Sequence, residues 1–223
     1  MMQLLYTDWD TPLIFEETHV PTLVVENKTL LRTIVTELYY QVKDSNGKWI
    51  LSKEDVPLDI AKSTVIVNMG MPFDGDSKLL LSKINARLEK QAMDEEHFVD
   101  TQQVLATLQQ YAQDLLFDIP FDLQPATITA VGLIKLLSVH MCDDYHNDLE
   151  KLLDHMQLLR HFDSEKLFVL IQLRSFYDDN EVTMFLQSAI ANRLPVLLID
   201  GTDYPRLPCE KRKIIDNDLC EIE

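Results

Sequence analysis

The chain has 223 residues, 46% of them hydrophobic, with 20 basic against 37 acidic side chains and a formal charge of −17. That length supports one large domain or two small ones with a buried core and no staples, and the charge excludes a uniformly basic nucleic-acid module. Three cysteines (Cys142, Cys209, Cys220) without C-x-x-C spacing fit free thiols. No apolar run reaches the ~18 residues of a membrane span, and the first residues lack the pattern of a signal peptide, so a cytoplasmic chain with no membrane attachment is expected.

Thr22-Leu23-Val24-Val25 reads as a short buried strand. Asn27 is placed to cap a following helix, in which Leu30, Leu31, Ile34, Val35, Leu38, Tyr39 and Val42 recur at helical spacing. Ser45-Asn46-Gly47 is a turn, and Lys48-Trp49-Ile50-Leu51 and Thr64-Val65-Ile66-Val67-Asn68 are strand candidates. From Ser77 to about Phe162 nearly everything has helical period, in four stripes. They are Leu80, Leu81, Ile84, Leu88; then Leu105, Leu108, Ala112, Leu115, Leu116; then Ile128, Val131, Leu133, Ile134, Leu137; then Leu149, Leu152, Leu153, Met156, Leu159. Pro120 and Pro125 break the pattern between the second and third. Strand signals return at Leu167–Ile171, a continuous apolar run typical of a parallel strand covered on both faces. A helix follows with Val182, Phe185, Leu186, Ala189 and Ile190 on one side, then a strand over Pro195–Asp200, and Cys220-Glu221-Ile222 at a sheet edge. This order predicts an α/β head interrupted by a long helical leg: 1–74 head, 75–162 leg, 163–223 head.

Three patterns bear on chemistry. The strand, the loop Glu26-Asn27, then Lys28-Thr29 and a helix follow the order of a P-loop, and Asp200 stands where an acid ends the second P-loop strand. A working loop needs G-x-x-x-x-G-K-[ST], whose glycines let backbone N–H groups wrap phosphates. No glycine lies here and Glu26 repels phosphate, so nucleotide hydrolysis is the weaker alternative to a capped helix.

Metal is the second pattern. His140, Cys142, Asp143, Asp144, His146, His155 and His161 give neither H-E-x-x-H nor a paired-cysteine spacing. Asp114, Asp118 and Asp122 sit four apart near a helix end, where carboxylates and carbonyls can hold calcium or simply form a solvated acidic face.

The third is a basic face. Lys83, Arg87 and Lys90 share one helical stripe beside the apolar one, and Lys78 adds a cation at the helix start. Arg206, Lys211, Arg212 and Lys213 make a second cluster, and Lys43, Lys48 and Lys53 a third. Such a stripe is either a solvated helix face or an anion-binding lining. No G-x-S-x-G and no defensible Cys–His pairing supports a nucleophile.

Over nearly its whole length the chain resembles the small Csn-type, ring-forming adaptation proteins of type II-A CRISPR–Cas systems. The resemblance lies in Thr22-Leu23-Val24-Val25-Glu26-Asn27 with the helix through Tyr39-Tyr40-Gln41, and in Ile128-Thr129 with Leu133-Ile134-Lys135. It continues in Leu167–Ile171, Asp179-Asn180-Glu181-Val182, Val196–Ile199 and Ile215-Asp216-Asn217-Asp218. It implies a P-loop-like α/β head lacking a functional nucleotide site, with Lys28, Thr29 and Asp200 as its degenerate remnant and no nucleotide expected. It also implies a homotetrameric ring with a basic central hole that takes linear duplex DNA by its free ends. Such a protein is non-catalytic and acts in spacer acquisition beside the two universal adaptation proteins and the effector nuclease. Lys48, Lys78, Lys83, Arg87, Lys90 and Lys135 are the DNA-facing cations this implies. Family calcium sites in the leg correspond to Asp118 and Asp122, but Pro120, Gln124, Ala126 and Thr127 replace other acidic positions. An acidic scaffold for a basic protein partner is the remaining alternative.

Overall fold

In chain order the elements are β1 (Met2–Tyr6), β2 (Leu13–Phe15), β3 (Val20–Val25), α1 (Lys28–Asp44), β4 (Trp49–Lys53), β5 (Val56–Leu58), α2 (Ile60–Ser63) and β6 (Thr64–Asn68). Then come α3 (Lys78–Ala92), α4 (Phe98–Leu116), α5 (Ala130–Leu137), α6 (Asp148–Phe162), β7 (Leu167–Ile171), α7 (Asp179–Ala191), β8 (Val196–Asp200), β9 (Glu210–Ile215) and β10 (Glu221–Ile222). The structure, a computed structural model, describes residues 1–44, 46–70, 78–141 and 144–222. Ser45 of the expected turn, the expected head–leg boundary at 74/75, and Cys142 and Asp143 lie outside the described residues. The chain divides into two compact units, Met1–Phe73 with Tyr145–Glu223, and Asp74–Asp144.

The first unit is built on a six-stranded sheet in the order β10-β9-β3-β8-β7-β6. β9, β3, β8, β7 and β6 run parallel, and β10 closes one edge antiparallel. Every residue of β3, β7 and β8 is buried, the pattern of strands covered on both faces. The pleat divides them. Leu23, Val25, Leu167, Val169, Ile171, Leu197 and Ile199 join one core cluster with Ile34 and Leu38 of α1. Val24, Phe168, Leu170, Val196 and Leu198, also buried, alternate to the other face. There α6 and α7, which pack on each other, bring the buried stripes Leu149, Leu152, Met156, Leu159 and Val182, Phe185, Leu186, Ala189.

A second, antiparallel sheet of order β2-β1-β4-β5 completes the first core. Leu4, Tyr6, Leu13, Trp49 and Leu51 enter it. Tyr6, Trp9 and Trp49 pack as three tilted or edge-on rings with centroids 5.0–5.3 Å apart, a favoured aromatic geometry. α1 is tied to this sheet by one buried amide. Gln41 Nε2 donates to the Trp49 carbonyl oxygen at 2.7 Å, and the Trp49 N–H donates to Gln41 Oε1 at 2.9 Å. Gly47 makes room for that amide, since a Cβ there would overlap the Gln41 side chain.

The other unit is helical. α5 packs on α3 and on α4. Thr129 caps α5 by accepting from the Gly132 N–H at 3.1 Å, and the Ile128 N–H donates to Gln109 Oε1 of α4 at 3.2 Å. Ile134 is buried, but Tyr111, Leu115, Phe117, Phe121, Leu136 and Leu137 are exposed.

The leg expected over 75–162 is therefore too long at its C-terminal end. α6 has the same periodicity as its predecessors, yet it belongs to the sheet-bearing unit. A helical period tells that a stripe is covered, not by what. The expected strand at 48–51 is shifted to Trp49–Lys53, and β1, β2, β5 and β9 were not anticipated.

Replacing Gln41 by Leu strands two buried backbone groups of Trp49. At about 1–3 kcal/mol for each unpaired group, Gln41→Leu should lower the unfolding free energy by about 2–6 kcal/mol. Urea denaturation should show this as a lower midpoint at unchanged slope.

Candidate nucleic-acid interface

At about 100° per residue, Lys83, Arg87 and Lys90 of α3 fall within roughly 60° of one another around the helix and over about 10 Å of its length. Arg87 and Lys90 are exposed and Lys83 is half-buried. Among the described residues none of the three has a carboxylate partner. Glu89 lies more than about 100° away around the helix. The apolar residues Leu80, Ile84 and Leu88 occupy the neighbouring sector, so packing of that stripe fixes the direction of the cationic one. Lys78, the first helical residue, is exposed but falls about 120° or more round from the stripe. Lys135 is exposed on α5, which packs on α3.

Lys48 is different. It lies in the other unit, where its ammonium is 2.8 Å from Asp8 Oδ2 and sits above the Tyr6 ring, 5.5 Å from the centroid. Its pKa is raised, mainly by the hydrogen bond to Asp8. The basic cluster at 206–213 is also committed. Lys211 pairs with Glu16 at 2.6 Å, Arg212 with Asp203 at 2.6 Å and Glu210 at 2.8 Å, and Lys213 with Glu221 at 2.6 Å. Lys211, Arg212 and Lys213 lie in β9, where Glu210 and Lys213 are buried.

The P-loop-like corner is closed to phosphate by its own side chain. Only Glu26 and Asn27 join β3 to α1. Asn27 Oδ1 accepts from the Thr29 and Leu30 N–H groups at 3.1 and 3.0 Å, and Asn27 Nδ2 donates to the Asn217 carbonyl at 3.2 Å. Those N–H groups are among the ones a bound phosphate takes at a helix N-terminus. The third member of the expected remnant, Asp200, ends β8 at 1% exposure, and neither carboxylate oxygen has a hydrogen-bond partner. Its pKa is pushed up to about 6, first by burial; Arg174 and Arg212 pull it down and Glu210 pushes it up. The guanidiniums meant to balance it are spent elsewhere: Arg174 donates to Asp179 Oδ1 at 2.6 Å and to Glu210 at 3.4 Å. No local sequence signal marks Arg174 and Glu210 as partners, because 36 residues separate them.

Asp118 and Asp122 are exposed in the irregular stretch after α4, while Asp114 accepts from Gln110 Nε2 at 2.8 Å. Among the described residues no three His, Cys, Asp or Glu side chains gather as a metal site. Two exposed carboxylates fall short of the roughly six to eight oxygens calcium takes, so these residues by themselves do not fit the ion. No described helix is long and apolar enough to cross a membrane.

A family model described as CRISPR-associated protein (Cas_Csn2) matches residues 39–219. Among solved structures, one described as an ABC transporter ATP-binding protein from Pyrococcus furiosus is similar at a TM-score of 0.41 and 11% identity, with 96% of each chain covered. No curated protein matches the chain.

Asp200 makes stability pH-dependent with a definite sign. Its folded pKa of about 6 exceeds the ordinary aspartate value near 3.9. Between those values the folded state holds a proton that the unfolded state has lost, so this residue's contribution falls as pH rises through the window. Asp200→Asn should remove that loss. The stability difference between variant and parent should move in the variant's favour by up to about 3 kcal/mol from pH 4 to pH 7, measured by urea titration at each pH.

Proposed function

The chain belongs to the Csn2 family of CRISPR-associated proteins, a non-catalytic family of the adaptation machinery, and we propose that it binds linear double-stranded DNA in the basic central hole of a homotetrameric ring. The observation that carries this reading is the unpaired stripe Lys83, Arg87 and Lys90 on α3. Four copies facing a common axis would concentrate cations on the duplex while the surplus carboxylates face outward. Lys135, on the helix packed against α3, adds to the same unit's positive charge. Lys48, already neutralised by Asp8, contributes least of the six cations.

The exposed apolar side chains of the helical unit support assembly. Phe117 is 86% exposed and Phe121 75%, and large apolar groups of this kind gathered on one small unit mark an interaction surface. Closure of the α1 N-terminus by Asn27, whose Oδ1 takes the Thr29 and Leu30 N–H groups, counts against nucleotide hydrolysis as the alternative. The protein is read as a cytoplasmic accessory to spacer acquisition, working with the other adaptation proteins and the effector nuclease. No step of this reading passes through a metal.

Phosphate contacts carry no sequence information directly, so binding should be indifferent to sequence. With roughly three contacts from each protomer, log affinity against log salt should fall with a slope on the order of −10. Lys83→Glu with Arg87→Glu should weaken binding of a linear duplex at least a hundredfold and flatten that slope. Solution mass measured with and without a short duplex should give a tetramer and its complex. A monomer, or duplex binding untouched by the double reversal, would refute the proposal; an acidic scaffold would leave the duplex unretarded even at low salt.

A further inference from the structure

The α/β unit carries a line of cations of its own, on α1, that the acids of the unit leave unpaired. At about 100° per residue, Lys28, Tyr39, Arg32 and Lys43 lie within roughly 60° around the helix, and Tyr40 lies about 60° further. All five are exposed. Among the described residues, Lys28, Arg32 and Lys43 have no carboxylate partner. The carboxylates nearest in sequence are turned elsewhere or lie at the ends. Glu37 accepts from the Tyr6 hydroxyl at 2.6 Å, Glu26 precedes the helix and accepts from Asn217 Nδ2 at 3.4 Å, and Asp44 follows Lys43 at the last turn. In this unit Lys48, Lys53, Lys62, Lys211, Arg212 and Lys213 are all held by acids. Arg160 and Arg206 donate to backbone carbonyls instead, so what sets α1 apart is three cations without an acid in line on one helix face.

We propose that this face of α1 is a second track for the phosphate backbone of duplex DNA, separate from the α3 stripe; it rests on duplex being the ligand. Lys28 to Lys43 spans about 22 Å of helix, against a phosphate every ~3.4 Å along one strand. The line thus runs past roughly six phosphates, with Arg32 and Lys43 each four residues from an in-line neighbour. The two tyrosines add hydroxyl donors of a kind that commonly meets phosphate oxygens.

The same rings argue against a single strand. Base stacking needs open aromatic faces. The Lys43 ammonium already sits over the Tyr39 ring, 4.2 Å from its centroid, and the Tyr39 and Tyr40 rings meet edge-on at 71°. Neither arrangement offers parallel faces to successive bases. What remains outward is polar: two hydroxyls, two ammoniums and a guanidinium. A hydrogen bond to the Tyr39 hydroxyl raises the Lys43 pKa and keeps it charged.

The test uses the full chain and a labelled blunt 30-base-pair duplex, with anisotropy read across a salt series. Lys28→Ala, Arg32→Ala and Lys43→Ala together should weaken duplex binding at least tenfold at about 100 mM salt. The slope should shrink by about 2–3 for each engaged copy, with solution mass unchanged. Arg32→Glu alone, a single exposed change, should act in the same direction and guards against a folding defect in the triple variant. If both variants bind duplex with parent affinity and slope while Lys83→Glu with Arg87→Glu does not, this track is wrong and the α3 reading stands. If the parent itself ignores linear duplex, the ligand assignment fails and the track with it. Loss confined to an oligothymidylate or to polyglutamate, with duplex binding intact, also overturns the proposal.

Discussion

The α/β unit depends on β3 finding β8 and β9. Residues 22–24 pair with 198–200, and 20–25 with 210–215, so the middle of the sheet is closed by segments nearly the whole chain apart. Every residue of β3 and β8 is buried, and a half-formed sheet leaves two apolar faces in water. α1 and the small antiparallel sheet cover one face, and α6 and α7 the other. The closing entropy rises only with the logarithm of the intervening length. That is why a helical unit of some seventy residues, Asp74–Asp144, is tolerated between two strands that must meet.

The central strands were legible because a strand buried on both faces has nowhere to put a polar residue. Leu167–Ile171 and Val196–Ile199 announce themselves as apolar runs. Asn27 was legible too, since a cap acts within its own three residues and depends on no distant partner. The small sheet was not. Its strands β1, β2 and β5 are three to five residues long, and Leu5 on the outward side of β1 and Pro57 in β5 interrupt any alternation. β9 was hidden by charge: Lys211, Arg212 and Lys213 look like a surface patch, yet Lys213 is buried because Thr11 and Glu221 meet its ammonium. The helical stripe of α6 was visible, but the surface that covers it was not.

The same limit governs the candidate site. The α3 stripe was legible because helical spacing alone aligns Lys83, Arg87 and Lys90. Lys48 looked equivalent in sequence, but its partner Asp8 lies 40 residues away and only folding joins them. Asp200 was recognised as an acid at a strand end. Its isolation follows from Arg174 being drawn to Asp179 and Glu210, contacts that no local pattern encodes.

Net charge is a poor guide to DNA binding for the same physical reason. A cation already 2.6–2.8 Å from a carboxylate, as Lys48 and Lys211 are, must surrender that partner before it meets a phosphate. Trading one anion for another gains little. A solvated cation gives up nothing comparable, and its phosphate contact releases a counterion from the DNA, which is the entropic source of the affinity. The quantity that matters is the number of cations without a partner and whether they lie in line. By that measure the chain, at −17 overall, is not uniformly hostile to a polyanion. Its acids neutralise the cations of β9 and β4, where ion pairs hold strands and loops together, and among the described residues leave those along single faces of α3 and α1 without a carboxylate partner.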